Sequence, residues 1–311
     1  MGVKYIVEEP LVKGRLPPWF KKKIPDARLL SGMERLLGGL NLHTICESAL
    51  CPNQGDCFAQ GTATFLILGD VCTRRCTFCA VKKGLPSPVD EKEPEHLLEA
   101  VEKLGLRHVV ITSVTRDDLP DGGASHFAKT IRALKGKRKD LTVEVLIPDF
   151  RGSLESLKVV MDARPEVINH NLETVPRLYP EVRPQADYRR SLNLLSLVKK
   201  LDSLTVTKSG LMLGLGERRD EIVGVMEDLR AVECDLLTMG QYLQPSSSHH
   251  PVVRYLPPEE FSEYEKMGRD MGFADVVSAP LVRSSFHAAE LYAKINSERN
   301  RFGIESSGVK L

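Results

Sequence analysis

The sequence predicts an α/β fold, a partial (β/α)6 barrel of TIM type with N- and C-terminal extensions. Three observations predict it. From residue 62 onward short apolar runs alternate with longer amphipathic stretches, the pattern of strands and covering helices in a parallel sheet. Six such runs occur, fewer than a closed eight-stranded barrel needs. Each run is followed by a polar or glycine-rich segment, and barrels and open α/β sheets place ligands at the carboxyl ends of their strands. A doubly wound open sheet has the same local pattern, so periodicity leaves that alternative standing beside the barrel.

Residues 1–26 read as an extension, charged and broken by Pro10, Pro17, Pro18 and Pro25. Residues 27–40, ARLLSGMERLLGGL, carry apolar positions at helical spacing, with Gly38 and Gly39 placed to end a helix. Strands are expected at 63–68 (ATFLIL), 108–112 (HVVIT), 141–147 (LTVEVLI), 166–170 (EVINH), 203–213 (SLTVTKSGLML) and 234–240 (CDLLTMG). Helices are expected near 93–104, 123–135, 153–162, 187–201 and 217–231. The tail adds a helical stretch at 258–271, a short run ADVVSAPLV at 274–282, the segment RSSFHA at 283–288, and a final helix that frays. The expected divisions are an N-terminal extension at 1–60, the barrel at 61–280 and a C-terminal extension at 281–311.

Composition narrows the class. A hydrophobic content of 42% over 311 residues suffices for a sizeable core, and 6% aromatic residues argue against a stacking platform for nucleic acid. A formal net charge of +1 gives no general drive toward nucleic acid or membrane. The basic runs KKK at 21–23 and KGKRK at 135–139 read as solvated faces. The N-terminus lacks the apolar core of a signal peptide, and Ile6 stands where a myristoylation motif needs Ser or Thr. The expectation is a cytoplasmic protein with no membrane or nucleic-acid partner.

The seven cysteines divide as three, three and one, which suits ligation better than disulfide pairing. Cys72, Cys76 and Cys79 stand in C-x3-C-x2-C, with Phe78 before the last. Three thiolates leave a tetra-iron cluster one ligand short, so one iron is free to hold something else. Zinc is the competing reading, but zinc motifs pair two C-x2-C knuckles or add histidines at set spacings. Cys46, Cys51 and Cys57 form a second triplet, C-x4-C-x5-C, around a turn enforced by Pro52, Asn53 and Gly55. Cys234 stands alone and reads as core packing.

Other candidates lie at strand ends. Asp121, Gly122 and Gly123 follow the second strand and read either as a simple turn or as a ligand-binding one. Glu173 and Glu217 each read as a ligand contact or a helix cap. His249 and His250 read as a solvent-facing pair, because nothing at suitable spacing completes a metal site, and His170 reads as a substrate contact or a satisfied strand-end residue; none receives a role. Ser284 and Ser285 by themselves read as a helix cap.

The C-x3-C-x2-C spacing with its aromatic resembles the signature of the radical S-adenosylmethionine (SAM) enzymes. More specifically, CESALCPNQGDC with CTRRCTFC, then TSVTRDDLPDGGA, NHNLETV, TKSGLMLGLGE, GQYLQPS and VRSSFHA, resemble the lipoyl synthases over roughly residues 40–290. The resemblance implies a barrel of the radical SAM type, two 4Fe-4S clusters and SAM. Cys72, Cys76 and Cys79 would hold the SAM-binding cluster. Cys46, Cys51 and Cys57 would hold an auxiliary cluster, with Ser285 as fourth ligand and Ser284 as the fallback. Asp121, Gly122, Gly123, Glu173 and Glu217 would contact SAM. Phe286 replaces the usual tyrosine and Ala279 a common glycine.

The implied reaction inserts two sulfur atoms at carbons 6 and 8 of an octanoyl chain carried on a protein lysine, with the auxiliary cluster as sulfur donor. Those C–H bonds are unactivated, so the cofactor rather than a side-chain base must open them. The implied partners are octanoylated lipoyl-domain proteins, such as 2-oxoacid dehydrogenase acyltransferase subunits and the glycine cleavage H protein. Reduced flavodoxin or ferredoxin is the implied electron donor. Two rival readings remain at this level: a radical SAM enzyme that uses its second cluster only for electron transfer, and a non-catalytic electron carrier.

Overall fold

The structure, a computed structural model, describes residues 16–21, 27–59 and 62–301. All six expected strands form within it, and a seventh parallel strand extends them. The strands are β1 (His43–Thr44), β2 (Thr64–Ile67), β3 (Val71–Cys72), β4 (Lys82–Lys83), β5 (His108–Ser113), β6 (Thr142–Leu146), β7 (Val167–Asn169), β8 (Val206–Leu213), β9 (Leu236–Gln241) and β10 (Asp275–Ser278). The helices are α1 (Ala27–Gly39), α2 (Ile45–Ser48), α3 (Gln54–Ala59), α4 (Glu93–Lys103), α5 (Ala124–Lys137) and α6 (Leu154–Met161). They continue with α7 (Tyr179–Val182), α8 (Tyr188–Leu201), α9 (Arg219–Ala231), α10 (Pro258–Asp270) and α11 (Ala288–Arg301).

The main sheet has the order β1-β2-β5-β6-β7-β8-β9-β10, with every pair parallel except β1 on β2. The order of the parallel strands never reverses, whereas a doubly wound sheet reverses at a switch point. Successive helices α4, α5, α6 and α8 also touch one another in turn, as a single outer layer does. At the amino ends of the strands, Leu291 and Ile295 of α11 cluster with Val167, Val206 and Leu236, and Tyr292 meets His108. One helix can reach β5, β7, β8 and β9 together only if the sheet curls around it. The sheet is thus a partial barrel, open between β1 and β10 among the described residues, with α11 as its floor.

Strands β2 and β9 are buried along their whole length, as strands covered on both faces must be. Polar groups inside the curve are paired across strands. Lys208 donates to Glu144 at 2.9 Å with both side chains sealed from solvent, and Glu144 also faces His108 at 3.6 Å. Beyond the sheet, α1 and the β1–α3 segment join the main core through Met33, Leu37, Leu42, Cys46 and Phe58. Cys234 is fully buried, as core packing requires. The proline-rich start and the end expected to fray fall almost wholly outside the described residues, as do Lys22 and Lys23. Among the described residues no helix is long and apolar enough to cross a membrane.

Candidate functional site

Two cavities open at the carboxyl end of the sheet and around its first edge, and each takes one cysteine triplet. The first, about 470 Å³, is lined by Cys72, Cys76 and Cys79, with Glu173 as its carboxylate. The second, about 580 Å³, is lined by Cys46, Cys51, Cys57 and Ser285. Arg283 lines both. The wall between them alternates along the chain: Ile45, Leu50 and Pro52 face the first cavity, and Cys46, Cys51 and Asn53 the second. The same parity separates the two serines. Ser284 lines the first cavity and Ser285 the second.

The first triplet sits on a loop that has little regular structure of its own and is fixed from outside. Arg74, between Cys72 and Cys76, makes a two-pronged bond to Asp117 at 2.8 and 3.0 Å and reaches Asp149 at 2.5 Å. Asp117 and Asp149 follow β5 and β6, so the guanidinium ties the cysteine loop to two neighbouring strand ends. Burial alone would raise the Asp149 carboxyl, but Arg74 holds it down at about 2. Backbone N–H groups of Arg74 and Thr115 point at the Cys72 sulfur at 3.4 and 3.3 Å. On the far side, Thr77 donates its backbone N–H to Val182 at 3.0 Å.

Neither histidine of the 241–250 loop is idle. His250 donates its backbone N–H to the Thr77 carbonyl at 2.9 Å, and the His249 ring meets the Cys79 carbonyl at 3.2 Å. The sequence reading passed over both. The only available signal was their place after a barrel strand, on the face that carries the ligands. His170 is a satisfied core residue between the Ile147 carbonyl and Ser191, its pKa pushed down to about 4 by burial.

The second site, unlike its local triplet, is assembled from distant parts of the chain. Cys46 lies on α2, whose Thr44 cap accepts the Glu47 N–H, and Cys57 lies on α3. Asn53 donates to the Leu281 carbonyl at 2.6 Å and so ties this loop to the C-terminal motif. Gly240 permits that motif to cross β9, since a Cβ there would stand 2.0 Å from the Val282 carbonyl oxygen. Thr64 of β2 donates its hydroxyl to the Ser285 oxygen at 2.8 Å, which leaves that oxygen an acceptor facing the thiols. Phe286 also lines this cavity, with its ring edge-on to His287.

The remaining site residues divide. Glu173 adopts left-handed backbone (φ 67°), rare for a residue with a side chain, and its carboxyl is raised by burial against the pull of Arg183. It faces the first cavity. Asp121 bonds the N–H groups of Gly123 and Ser125 at 2.9 and 2.7 Å and so caps α5. A Cβ on Gly123 would stand 2.3 Å from Leu68, so the glycine serves packing. Glu217 turns back on the N–H groups of Gly214 and Leu215. These turns and Gly122 lie outside the cavity lining.

The donor sets fit iron–sulfur clusters. Among the described residues no three His, Cys, Asp or Glu side chains gather as around a single ion. The thiols instead border cavities, and around the first no histidine adds a fourth donor. Burial pushes the Cys46 and Cys79 thiols up to about 12 each, and the neighbouring thiols add to the rise. Sulfurs so placed need a cationic inorganic core to be held as thiolates.

Comparison with known proteins agrees with this geometry. Residues 66–229 match the family model of the radical SAM superfamily, and residues 5–51 match that of the N-terminal domain of lipoyl synthase. The lipoyl synthase of Caldanaerobacter subterraneus subsp. tengcongensis is 59% identical over 274 residues, 88% of this chain and 96% of its own. That of Aquifex aeolicus is 60% identical over 258 residues, 83% of this chain and 94% of its own. Among solved structures, HydG, a maturase of the FeFe-hydrogenase, superposes with a TM-score of 0.56 at 14% identity, covering 88% of this chain and 61% of HydG. Methylornithine synthase (PylB) gives 0.50 at 14% identity, covering 80% of each chain. These two likenesses bear on the fold alone. Radical SAM membership brings with it a 4Fe-4S cluster and SAM. By sequence identity across most of its length, this chain belongs to the lipoyl synthase family.

Proposed function

We propose that this protein inserts two sulfur atoms at carbons 6 and 8 of a protein-bound octanoyl-lysine, giving lipoyl-lysine. The observation that carries this reading is the pair of cysteine-lined cavities sharing one wall, with Arg283 common to both. Cys72, Cys76 and Cys79 would hold the SAM-binding 4Fe-4S cluster, and Cys46, Cys51, Cys57 and Ser285 an auxiliary one. Bound there, the two clusters and SAM supply hydrogen abstraction from an unactivated C–H bond and the sulfur that replaces it.

The chain's own part is to hold and exclude. Arg74, through Asp117 and Asp149, fixes the loop that carries the first thiols. Glu173, its acidity weakened by burial, is the first cavity's carboxylate and suits the ammonium of SAM's methionine part. Apolar walls from Ile45, Leu66, Val114, Leu243 and Pro245 suit an octanoyl chain and keep water from the reacting carbons. Thr64 donates to the Ser285 oxygen, which orients the serine and leaves it one further lone pair to offer as a ligand. The substrates are octanoylated lipoyl-domain proteins, including acyltransferase subunits of 2-oxoacid dehydrogenases and the glycine cleavage H protein. Reduced flavodoxin or ferredoxin would supply the electron.

Iron counting after anaerobic reconstitution tests the two-cluster reading. The unsubstituted chain should take up about eight iron atoms, and a Cys46→Ala, Cys51→Ala, Cys57→Ala variant about four. An equal count in both would end the assignment of the second site.

A further inference from the structure

The segment Gln244–His250, which follows β9, spans from the wall of the first cavity to the cysteine turn. Gln244 and Pro245 line the cavity. Five residues on, His249 and His250 bond the carbonyls of Cys79 and Thr77 at 3.2 and 2.9 Å. The segment is itself held at both ends. Tyr242 donates its hydroxyl to the His250 carbonyl at 2.7 Å, Gln244 donates to the His249 carbonyl at 2.9 Å, and the His250 ring meets the Leu215 carbonyl at 3.0 Å.

A carbonyl only accepts, so Nε2 of His249 carries the proton that bonds Cys79. Its Nδ1 then accepts from the Ser246 hydroxyl at 2.8 Å, which fixes the ring's orientation. The cysteine turn contributes little of its own: Cys79 donates its N–H back to Cys76 at 3.3 Å. Arg74 anchors the start of the loop, while Thr77 and Cys79 depend on α7 and on this strap.

We infer that the Gln244–His250 strap holds the far half of the cysteine loop, with His249 the positioning residue for Cys79. This rests on the reading of the first triplet as a cluster site. By fixing the Cys79 carbonyl from outside, His249 sets the direction in which the last thiol meets the cavity before any cluster is loaded. The strap also supplies part of the cavity wall, so the bound substrate and the cysteine turn share one support.

The test compares His249→Ala, His249→Gln and Ser246→Ala in the full chain. Amide hydrogen exchange over residues 76–80 is read without any cluster. Iron release to a chelator is then read with the Cys46, Cys51 and Cys57 substitutions present, so that only the first site is loaded. His249→Ala should speed exchange and iron release about fivefold, the factor expected for one lost hydrogen bond of ordinary strength. His249→Gln keeps an N–H donor of similar reach and should stay near the parent. Ser246→Ala should fall between. Parent-like exchange and iron release in His249→Ala would overturn the inference, as would a glutamine variant as loose as the alanine one. Should His249→Ala fail to fold, the glutamine and Ser246 variants still decide between donor and packing. If the parent chain takes up no iron, the cluster reading itself fails, and the exchange arm tests the strap independently.

Discussion

The two cysteine triplets are held in opposite ways. Cys72, Cys76 and Cys79 ride on one strand-end loop that the barrel itself braces, through Arg74 to Asp117 and Asp149 and through the strap to Cys79 and Thr77. Cys46 and Cys57 lie on two short helices before the barrel and Cys51 on the turn between them, while Ser285, on the wall of the same cavity, comes from the C-terminal motif. Asn53 ties the cysteine segment to the Leu281 carbonyl, and Thr64 of β2 ties Ser285 to the barrel's first parallel strand. A site that must work repeatedly is built into the rigid scaffold. On the proposed function the contents of the second site would be consumed, and that site is assembled from segments before and after the barrel.

Substitution of ligands gives the largest expected contrast. Cys76→Ala should abolish SAM cleavage, measured as 5′-deoxyadenosine and methionine formed with dithionite. Cys51→Ala should retain that cleavage and lose sulfur insertion into an octanoyl-lysine peptide. Loss of cleavage in both variants would erase the distinction between the sites.

Breaking the ion-pair brace should follow. Asp149→Asn leaves the Arg74 guanidinium with one buried partner removed, a loss of about 3 kcal/mol in denaturant unfolding of the apo chain. The contrast depends on acid in a definite direction. The Asp149 carboxyl sits at about 2 in the folded chain, below about 3.9 for an unfolded aspartate. Its contribution, about 3 kcal/mol, is therefore complete well above pH of about 4 and fades as the pH falls through about 4 toward about 2. The stability gap between parent and Asp149→Asn should narrow across that window. A gap unchanged down to pH of about 2 would show that the brace is not ionic.

The second site should respond more gently. Asn53→Ala removes the bond to Leu281 and should cost about 1 kcal/mol of stability. Iron at the second site should fall while the first site's spectrum stays as it was. Thr64→Val, which removes the donor to Ser285 at similar volume, should have the smallest effect, under about 1 kcal/mol. It should show chiefly as faster iron loss from the auxiliary position.

Local pattern was enough for the parallel strands, because each is a short apolar run bounded by turn residues, and for both triplets, whose spacing is written in the chain. Strand β10 falls within the apolar run at 274–282, which the sequence pattern places in the tail beyond the six strands. The choice of a partial barrel over a doubly wound sheet needed strand order and the reach of α11, neither of which periodicity carries. Arg74 meets residues 43 and 75 positions away, and Asn53 meets Leu281 across 228, so no window along the sequence contains either contact. Composition does not distinguish the two serines and the resemblance ranks Ser285 first; the crossing segment sends Ser284 to one cavity and Ser285 to the other. Asp121 reads as a simple turn or a ligand-binding one and Glu217 as a helix cap or a ligand contact, and the structure engages both carboxylates with their own turns.

The most direct test of the account is a single turnover of the fully reconstituted chain with SAM, dithionite and an octanoyl-lysine peptide. Mass spectrometry reads the peptide, and a sulfide count reads the protein. The account predicts a peptide carrying two added sulfurs and a matching loss of sulfide from the auxiliary site. Deoxyadenosine formed beside an unmodified peptide, with cluster sulfide intact, would contradict it.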